Sequence, residues 1–577
     1  VIPIYTSGSA EEELSSLKAI TYNLENGKVT ETKLESKSVF KDKLDKKHTL
    51  KKFTFPNIKE GSIIEYQYTL KSDFIFNLQP WEFQGEYPKL WSEYTVRMPE
   101  FLYYVTLSQG YQSFYIKDQK GGSSNFNISD SRGAGATERD QFSASITDYR
   151  WVMKNVPALK EEGFTSTIRN HIAKIEFQLA ETRLPLTPKN VMGTWTQTCE
   201  DLLKDEDFGF SLNKDNPWLN DVMDAAVHEA ANDMAKAKNI YVYVRDNMTC
   251  TNHNRVSLDQ PLKNVLKNRN GNEAEINLLL VAMLRKAGLH ADPVILSTRS
   301  HGYTYAMYPL LDRFNYVIAQ LAIGDRTWYL DASEPHMGFG KLSYKCYNGH
   351  ARVVNPEATP IDFSADSLVE RKVTSFFIIN DEKGNLAGSA QQSPGFYESG
   401  DLRDRVKEKG KDGLLSDIKK GFSAETGLSD FVIDSLDKYE EPLTLRYNFD
   451  IKMDKEDILY INPMFGEGQK ENPFKSAERF YPVEMPYTID ETYLLQMEIP
   501  QGYGVDELPK QVLVRLNEMD DGLFEYRISQ SNNTVSLRSR LRIKRSVFVP
   551  EEYEMLREFF NLVVKKHNEQ IVFKKKK

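Results

Sequence analysis

The chain has 577 residues, with 74 basic and 83 acidic side chains and a net charge of −9. Apolar residues make up 40% of the chain and charged residues 27%, a composition typical of a folded globular protein. The chain is too long for one hydrophobic core, so we predict three domains. No basic cluster occurs apart from KKKK at 574–577, which argues against nucleic acid as a partner.

The apolar run LLLVAML at 278–284 is far shorter than the ~20 residues that span a bilayer, and no other window reaches that length. We therefore predict no transmembrane segment. The opening VIPIYTSGSA has no initiator Met, which fits a processed secretory protein and a trimmed chain equally well.

Cys199, Cys250 and Cys346 are an odd number without metal-type spacing, so neither a disulfide framework nor a zinc site is indicated. The simplest interpretation is three buried thiols. His228 and Glu229 begin HEAAND, which lacks the second histidine of a zinc-binding H-E-x-x-H helix. We expect no metal and no cofactor.

Residues 1–183 are predicted to form a β-rich domain, because apolar side chains recur at every second position. This alternation is clear in GSIIEYQYTL, SEYTVRM and HIAKIEFQL. The segment KGGSSNFNISDSRGAGATERDQFSAS at 120–145 is polar and rich in glycine, which predicts an exposed hairpin and loop.

Residues 184–352 are predicted to form an α+β domain, since helix patterns precede strand patterns. The helix patterns are TWTQTCEDLLKDED, DVMDAAVHEAANDMAKAKNIYVYVRDNM and a helix over 273–287. The strand patterns that follow are ADPVILSTR, FNYVIAQLAI and RTWYLDAS.

Residues 353–577 are predicted to form a second β-rich domain. Alternation returns in KVTSFFII, LTLRYNFDIK, YLLQMEI and TVSLRSRLRI. Two helices are predicted as well, a charged one at 399–422 with a solvated face and a closing one at 550–569. The predicted fold class is thus α+β multidomain, with an α+β centre between two β-rich domains.

The stretch GNEAEINLLLVAMLRKAG predicts a helix whose first residue is Glu273. Gly271 and Asn272 turn the chain before it, and Gly288 ends it. A helix N-terminus stabilises negative charge and lowers the pKa of a thiol. Position 273 is therefore a natural place for a cysteine nucleophile.

The two strands after this helix are predicted to form a hairpin, because Gly324 and Asp325 between them suit a two-residue turn. Ile323 then pairs with Arg326.

The same register places Tyr316 opposite Ser333 and diagonal to Asp331 on one face of the sheet. A residue at a helix start, a residue on one strand and an acid on the next make a three-point site. Cysteine catalysis uses such a set, with a thiolate, an imidazole and an orienting acid.

The order GNxAEINLLLVAMLRKAG, ADPVILSTR, FNxVIAQL and WYLDAS resembles the transglutaminase-like superfamily of papain-related folds. In that superfamily the first x is normally the nucleophilic Cys and the second the catalytic His. The resemblance implies a papain-like central domain.

The flanking domains carry resemblances of their own. LKAITYNLENGKV, KFTFPNIKEGSIIEYQY and WEFQGEYP resemble the domain of unknown function that precedes such cores in Gram-negative envelope proteins. YINPMFGEGQKENPF and YEMLREFFNLVVKKHNEQIVF are similar to its C-terminal companion. The resemblance covers nearly the whole chain and implies a periplasmic or otherwise exported location.

Carried over residue by residue, the nucleophile position is Glu273, the histidine position is Tyr316 and the acid position is Asp331. A carboxylate lacks the polarisable sulfur of a thiolate, and a phenol with a pKa near ~10 is a poor general base. We therefore expect a degenerate triad. A carboxylate at an exposed helix N-terminus gains ~0.3–1 kcal/mol, and the phenol packs its ring and hydrogen-bonds to a carboxyl, which predicts a plugged or repurposed cleft.

These observations predict a catalytically inactive transglutaminase-like protein that acts as a binding or scaffold module in the bacterial cell envelope. Its partner is an unidentified protein, peptide or glycan. Tyr303, Tyr305 and Tyr308 are candidate binding residues, because their rings suit sugars or peptides, although packing of the loop explains them as well. The sheet edges of the flanking domains are a second candidate, for an added peptide strand.

Two enzyme hypotheses stay open. One is an active cysteine peptidase or transglutaminase with a displaced nucleophile, Cys250 or Cys346, served by His253 or His350. The other is a hydrolase that uses the carboxyl groups at the nucleophile and acid positions as a pair.

Overall fold

A computed structural model describes the chain over residues 1–8, 10–45, 47–76, 78–130, 138–422, 426–453 and 456–577. Within these ranges the fold is α+β and multidomain, with an α+β centre between β-rich regions. None of the helices in this part of the chain combines the length and the apolar character that crossing a membrane requires.

Among its described residues, the N-terminal region is built from strands alone, apart from single helical turns. They are β1 (Ile2–Ser7), β2 (Ala10–Glu11), β3 (Glu13–Glu25), β4 (Lys28–Lys33), β5 (Val39–Lys43), β6 (His48–Phe53), β7 (Ile63–Lys71), β8 (Trp81–Glu82), β9 (Lys89–Pro99), β10 (Leu102–Gln109), β11 (Ile116–Asp130), β12 (Glu138–Val156), β13 (Lys174–Thr182) and β14 (Lys189–Asn190). They form four sheets, with strand orders β2-β1-β6-β5, β4-β3-β7, β11-β12-β9 and β10-β13-β14, the last with β8 beside β13.

The hairpin predicted over 120–145 is confirmed. Strands β11 and β12 pair antiparallel from Ile116 opposite Val152 to Asp130 opposite Glu138. The predicted loop at its tip, 131–137, lies outside the described residues.

The central region places helices before and between strands. Its elements are α1 (Trp195–Lys204), α2 (Asn220–Ala226), α3 (Asp233–Asn247), β15 (Thr249–Cys250), α4 (Leu262–Asn268), β16 (Asn270–Gly271), α5 (Glu273–Lys286), β17 (His290–Leu296), β18 (Tyr316–Ile323), β19 (Arg326–Leu330), β20 (Gly349–Val353) and β21 (Pro360–Phe363). The last five strands form one sheet with the order β19-β18-β17-β20-β21.

Helix α5 is the centre of this region. All its residues from Glu273 to Leu284 are buried, and their apolar side chains share one core with the inward face of β17 and β18. The other face of the sheet packs on a second, smaller core. Because both faces of the sheet are covered, the side chains that lie between α5 and β18 are shielded from water.

The helix pattern predicted over DVMDAAVHEAANDMAKAKNIYVYVRDNM is two helices, α2 and α3, instead of one. Glu229 between them has a φ of 57°, which a helix does not allow. The Asn232 side chain then caps α3 by accepting a hydrogen bond of 2.9 Å from the Ala235 amide.

The C-terminal region is again rich in strands. Its elements are β22 (Val369–Asn380), β23 (Leu386–Ser393), α6 (Phe396–Lys419), β24 (Thr426–Asp434), β25 (Thr444–Ile451), β26 (Ile458–Ile461), β27 (Val483–Glu484), β28 (Thr488–Glu498), β29 (Tyr503–Glu507), β30 (Val512–Arg515), β31 (Gly522–Ser531), β32 (Thr534–Ile543), β33 (Val547–Phe548), α7 (Tyr553–His567) and β34 (Ile571–Lys575). The large sheet has the order β24-β25-β23-β22-β28-β32-β31-β30. Both predicted helices are present, and α6 is kinked at Gly410, whose φ is 73°.

Two sheets continue past the predicted domain boundaries at 183 and 352. Strand β14, which ends at Asn190, pairs with β13, and β21, which ends at Phe363, pairs with β20. A domain boundary that cuts a sheet would break its backbone hydrogen bonds. We therefore propose boundaries after Asn190 and after Phe363.

The three regions meet at the buried carboxylate of Glu484, on β27. It accepts hydrogen bonds from the Ser166 amide (2.8 Å) and hydroxyl (2.6 Å), from Nε2 of His171 (3.1 Å) and from the Tyr303 hydroxyl. Ser166 and His171 lie in the N-terminal region and Tyr303 in the central one. One carboxylate thus ties all three regions together.

Replacing Glu484 with Gln is expected to make the assembly less stable at pH 7 and less sensitive to acid. Burial alone would raise the pKa of Glu484, but hydrogen bonds from His171, Ser166 and Tyr303 outweigh it and lower the pKa to about 2. A carboxyl group with a lowered pKa stabilises the folded state above its unfolded value of 4.5, and this contribution is lost as pH falls towards 2. This lowering of the pKa corresponds to about 3 kcal/mol of folding free energy.

The measurement is the thermal midpoint of the wild type and the Gln variant between pH 2 and pH 7. The gap between them should close as pH falls through this window. A gap that stays constant with pH would show that Glu484 is not ionised at the junction.

Candidate functional site

The start of α5 is fixed by reciprocal hydrogen bonds. The Asn272 side chain accepts from the Glu275 amide (2.9 Å), and the Glu275 carboxylate accepts from the Asn272 amide (2.8 Å). Gly271 precedes this cap, and a Cβ there would lie 2.7 Å from the Glu275 carboxylate. The predicted turn and the predicted helix start at Glu273 are both confirmed.

Glu273 is buried completely, with no solvent exposure, so the gain of an exposed carboxylate at a helix N-terminus does not apply to it. Its amide donates to the Asn252 carbonyl (2.9 Å), and its Oε1 accepts from the Arg255 amide (3.1 Å). The segment that contains Asn252 and Arg255 therefore covers the helix start.

Burial favours the neutral form of the Glu273 carboxyl group. Burial raises its pKa to about 8, and the nearby Asp331 carboxylate adds to the rise, against the Arg255 amide and the Lys345 ammonium, which lower it. Its Oε2 has no hydrogen-bond partner in the part of the chain that the structure describes. Position 273 thus carries a buried carboxyl group with a raised pKa.

Tyr316 and Asp331 are joined as predicted. Pairing of β18 with β19 runs from Ile323 opposite Arg326 to Ala319 opposite Leu330, which confirms the predicted register. Beyond Leu330 the chain leaves the sheet, yet the Tyr316 hydroxyl donates to Asp331 Oδ2 (2.9 Å).

Asp331 accepts three further hydrogen bonds, all at Oδ1. They come from Nδ2 of Asn277 (2.9 Å) and from the amide (3.0 Å) and hydroxyl (2.6 Å) of Ser333, whose Oγ also lies 3.1 Å from the Tyr316 hydroxyl. Asp331 and Tyr316 have no solvent exposure. Burial raises the pKa of Tyr316 well above its usual range, so the phenol stays protonated. The acid and phenol form a closed polar network.

Asn277 is a member of the site that the sequence analysis missed. Its Nδ2 also donates to the Val317 carbonyl (2.9 Å), and its Oδ1 accepts from the Ala332 amide (2.9 Å). All hydrogen-bonding atoms of this buried amide are therefore used. A signal was present, since Asn277 is the one amide in the apolar run of α5.

Lys345 is a second missed member. Its Nζ lies 4.7 Å from the centre of the Tyr316 ring, and it forms an ion pair with Glu334. A cation over an aromatic face is a stabilising contact. Nothing in the local sequence marks Lys345, because the contact depends on how the 334–345 segment folds back on the sheet.

Cys250 and His253 are close but do not form a catalytic pair. The Cys250 Sγ lies 3.5 Å from His253 Nδ1, and the Glu334 carboxylate approaches the same nitrogen at 3.7 Å. A thiol–imidazole–acid triad needs the thiol and the acid on different ring nitrogens. Burial also raises the pKa of the Cys250 thiol to about 12, so almost none of it is thiolate at neutral pH.

The expectation of three buried thiols is right for Cys199 and Cys346 and wrong for Cys250, which is half-buried. Burial raises the pKa of Cys199 to about 11 and that of Cys346 well above its usual range. His350 contacts Thr304 (2.9 Å) and Arg352 (2.9 Å) instead of a thiol.

The three tyrosines predicted to bind a ligand do not act as one cluster. Tyr303 donates to Glu484 at the junction, and the Tyr305 ring lies 6.0 Å from the Arg313 guanidinium. Both line a groove of about 630 Å³ between the N-terminal and central regions. Tyr308 lies in the same loop and is half-buried. Their role in binding stays a prediction.

No group of three or more metal-binding side chains occurs in the ranges that the structure describes. His228 and Glu229 are both exposed, with 3.8 Å between ring nitrogen and carboxylate.

Residues 221–330 match the sequence model of the transglutaminase-like superfamily. The matched range includes α5 and β18 and ends at Leu330, one residue before Asp331. The central domain belongs to this superfamily. Residues 457–573 match DUF3858, a domain of unknown function with a solved structure. Both matches agree with the resemblances seen in the sequence.

Two solved structures are similar to this chain. One is a candidate protease from Parabacteroides distasonis ATCC 8503, with 12% identity, a TM-score of 0.49, and coverage of 97% of this chain and 90% of that chain. The other is a candidate cysteine protease from Cytophaga hutchinsonii, with 11% identity, a TM-score of 0.17, and coverage of 44% and 74% respectively. No curated protein matches the chain in sequence.

Proposed function

We propose that the transglutaminase-like domain is catalytically inactive and that the chain serves as a binding or scaffold module. The observation that supports this most strongly is burial. The side chains of Glu273, Tyr316 and Asp331 have no solvent exposure, so a substrate has no path to them.

The chemistry of the three positions supports the same proposal. A protonated carboxyl group at 273 is no nucleophile, and a phenol that stays protonated at 316 accepts no proton. Asp331 uses its oxygens for four hydrogen bonds within the domain. Apart from Glu273 Oε2, which has no partner among the described residues, the site has the character of a satisfied core network.

The two enzyme alternatives meet specific obstacles. A paired-carboxylate hydrolase needs both carboxyl groups to face a substrate and a water, and Glu273 and Asp331 face neither. A displaced nucleophile needs a thiolate, and Cys250 is a half-buried thiol with a raised pKa.

A location in the bacterial cell envelope remains part of this proposal. It rests on the resemblance of the flanking domains to those of Gram-negative envelope proteins. Fractionation of the cells that naturally make the protein, with antibody detection, is the measurement, and recovery in the cytoplasmic fraction alone would contradict this location.

The proposal predicts slow alkylation of Cys250. Treated with iodoacetamide at pH 7.5, the native protein should react at Cys250 at least tenfold more slowly than a short cysteine peptide, because its thiolate fraction is small. Intact and peptide mass spectrometry at timed quenches measures the rate. Cys250→Ser is the matched control for assigning the site. Rapid stoichiometric labelling of Cys250 would revive the displaced-nucleophile enzyme.

A second variant distinguishes two reasons for inactivity, namely the absence of a cysteine and a histidine and the burial of the site. Glu273→Cys combined with Tyr316→His restores the missing residue types, yet peptidase and transamidase turnover should stay at background, because Asn252 and Arg255 still cover the helix start. Turnover by this double variant would show that the cleft opens and that only the residues were lost.

A further inference from the structure

The eight-stranded sheet of the C-terminal region has one face in the core and one face open. Along β22, Phe376 and Ile378 are buried, whereas Phe377 and Ile379 on the opposite face are 51% and 40% exposed. An open sheet face normally carries polar side chains, so exposed apolar side chains on a central strand indicate a binding surface.

The open face carries an open-sided cavity of about 750 Å³. Phe377 stands near its middle, beside Leu494 of the neighbouring strand β28, which is 38% exposed. A cavity of this size falls in the range of small-molecule and oligomer sites.

Uncharged polar side chains surround the Phe377 ring. Its register partners are Ser389 on one side and Gln496 on the other, and Gln496 is in turn opposite Ser536. The row extends to Asn448 beyond Ser389 and to Ser529 beyond Ser536. These six side chains cross six strands, a distance of about 24 Å at the usual ~4.8 Å spacing.

Most of these groups are free to bind a ligand. In the ranges that the structure describes, the side chains of Ser389, Gln496, Ser529 and Ser536 make no hydrogen bond within the chain. All four are exposed. The row therefore offers amide and hydroxyl groups on both sides of an aromatic ring.

The arginines of the face are neutralised from within. Arg527 and Arg538 both pair with Glu525, the former at 2.5 Å, and Arg446 pairs with Asp434 at 2.5 Å. Asp430 also lines the cavity, so among the described residues these three arginines are balanced by the three carboxylates of Glu525, Asp434 and Asp430. This balance of charges suits an uncharged ligand.

We propose that this face binds a neutral oligosaccharide that lies across the strands, with one sugar ring on Phe377 and hydroxyl groups on Gln496 and the serines. Sugars present apolar C–H faces to an aromatic ring and hydroxyls to amides, which matches the row. An added peptide strand does not fit, because the backbone groups of these central strands are already paired in the sheet. The proposal is independent of the state of the transglutaminase-like domain.

The test is affinity electrophoresis of the full chain in native gels that contain one polysaccharide each. Mixed-linkage β-glucan, α-mannan, galactomannan and glycogen are the neutral probes, and dextran sulfate is the anionic one. At least one neutral probe should retard the protein. Phe377→Ala and Gln496→Ala should each raise the dissociation constant at least tenfold, whereas Phe377→Trp should keep binding.

Leu513→Ala is the matched control, because Leu513 is 60% exposed on the edge strand β30 and lies outside the cavity. Unchanged mobility in all neutral gels would overturn the proposal, as would retardation by dextran sulfate alone. If Phe377→Ala were retarded as strongly as the wild type, the sugar would bind outside this face. A dimer in solution that Phe377→Ala dissociates would assign the face to protein association instead.

Discussion

Replacing Asp331 with Ala is expected to destabilise the transglutaminase-like domain by about 3–5 kcal/mol, because four buried donors lose their shared acceptor. These donors are Nδ2 of Asn277, the Tyr316 hydroxyl, and the amide and hydroxyl of Ser333. Hydrogen exchange of the α5 and β18 amides, measured by mass spectrometry across a urea series, reports this loss for the central domain alone.

Tyr316→Phe is the matched control for this change. It removes one donor, fills almost the same volume and leaves Asp331 with its other donors, so the expected cost is about 1 kcal/mol. Asp331→Asn should fall between the two variants. A cost below 1 kcal/mol for Asp331→Ala would show that the acid is dispensable to the fold and would favour an unrecognised role in chemistry.

The second large effect is a gain of stability in Glu273→Gln that depends on pH. The pKa of the Glu273 carboxyl rises from 4.5 to about 8 on folding. Below pH 4.5 both the folded and the unfolded chain hold the proton, and the wild type is at its most stable with respect to this group. As pH rises from 4.5 to 8 the unfolded chain ionises first, so folding is disfavoured by about 4–5 kcal/mol at the upper end.

The amide does not ionise, so the Gln variant escapes this loss. Its Nε2 takes the place of Oε2, which has no partner among the described residues, and this offsets part of the gain. We therefore expect the variant to be about 2 kcal/mol more stable than the wild type at pH 8 and slightly less stable at pH 4. Chemical denaturation of both proteins at several pH values measures the crossing.

Glu275→Gln is the control on the same helix. Glu275 is also buried, but its carboxylate accepts from the amides of Asn272, Asp259 and Gln260, each at 2.8 Å. Its replacement should cost stability at pH 8 instead of adding to it. Equal behaviour of the two variants would contradict a neutral Glu273.

Together these effects describe three polar side chains, Glu273, Tyr316 and Asp331, that are part of the core. Asn277, Tyr316, Asp331 and Ser333 satisfy one another by hydrogen bonds, while Glu273 Oε2 has no partner among the described residues. Asn252 and Arg255 cover Glu273, and the ammonium group of Lys345 lies over the Tyr316 ring. The open surfaces of the molecule lie elsewhere, and the open sheet face around Phe377 is one of them.

Local patterns in the sequence were enough for the elements that position the site. The turn at Gly271 and Asn272, the helix from Glu273 and the end near Gly288 follow from local conformational preferences and a 3.6-residue apolar repeat. The Gly324–Asp325 turn set the register of the hairpin, since the side chains of a strand alternate with a period of two.

The tertiary structure alone decided what these residues do. The burial of Glu273 depends on the 252–255 segment. This segment is close to α5 in sequence but does not belong to its helical repeat. The contacts of Lys345 with Tyr316 and of Glu484 with the other two regions join residues far apart along the chain. Local preferences carry no information about such contacts, because they arise from how whole elements pack. The sequence by itself therefore determined which residues stand at positions 273, 316 and 331, and the packing decided that their side chains are buried.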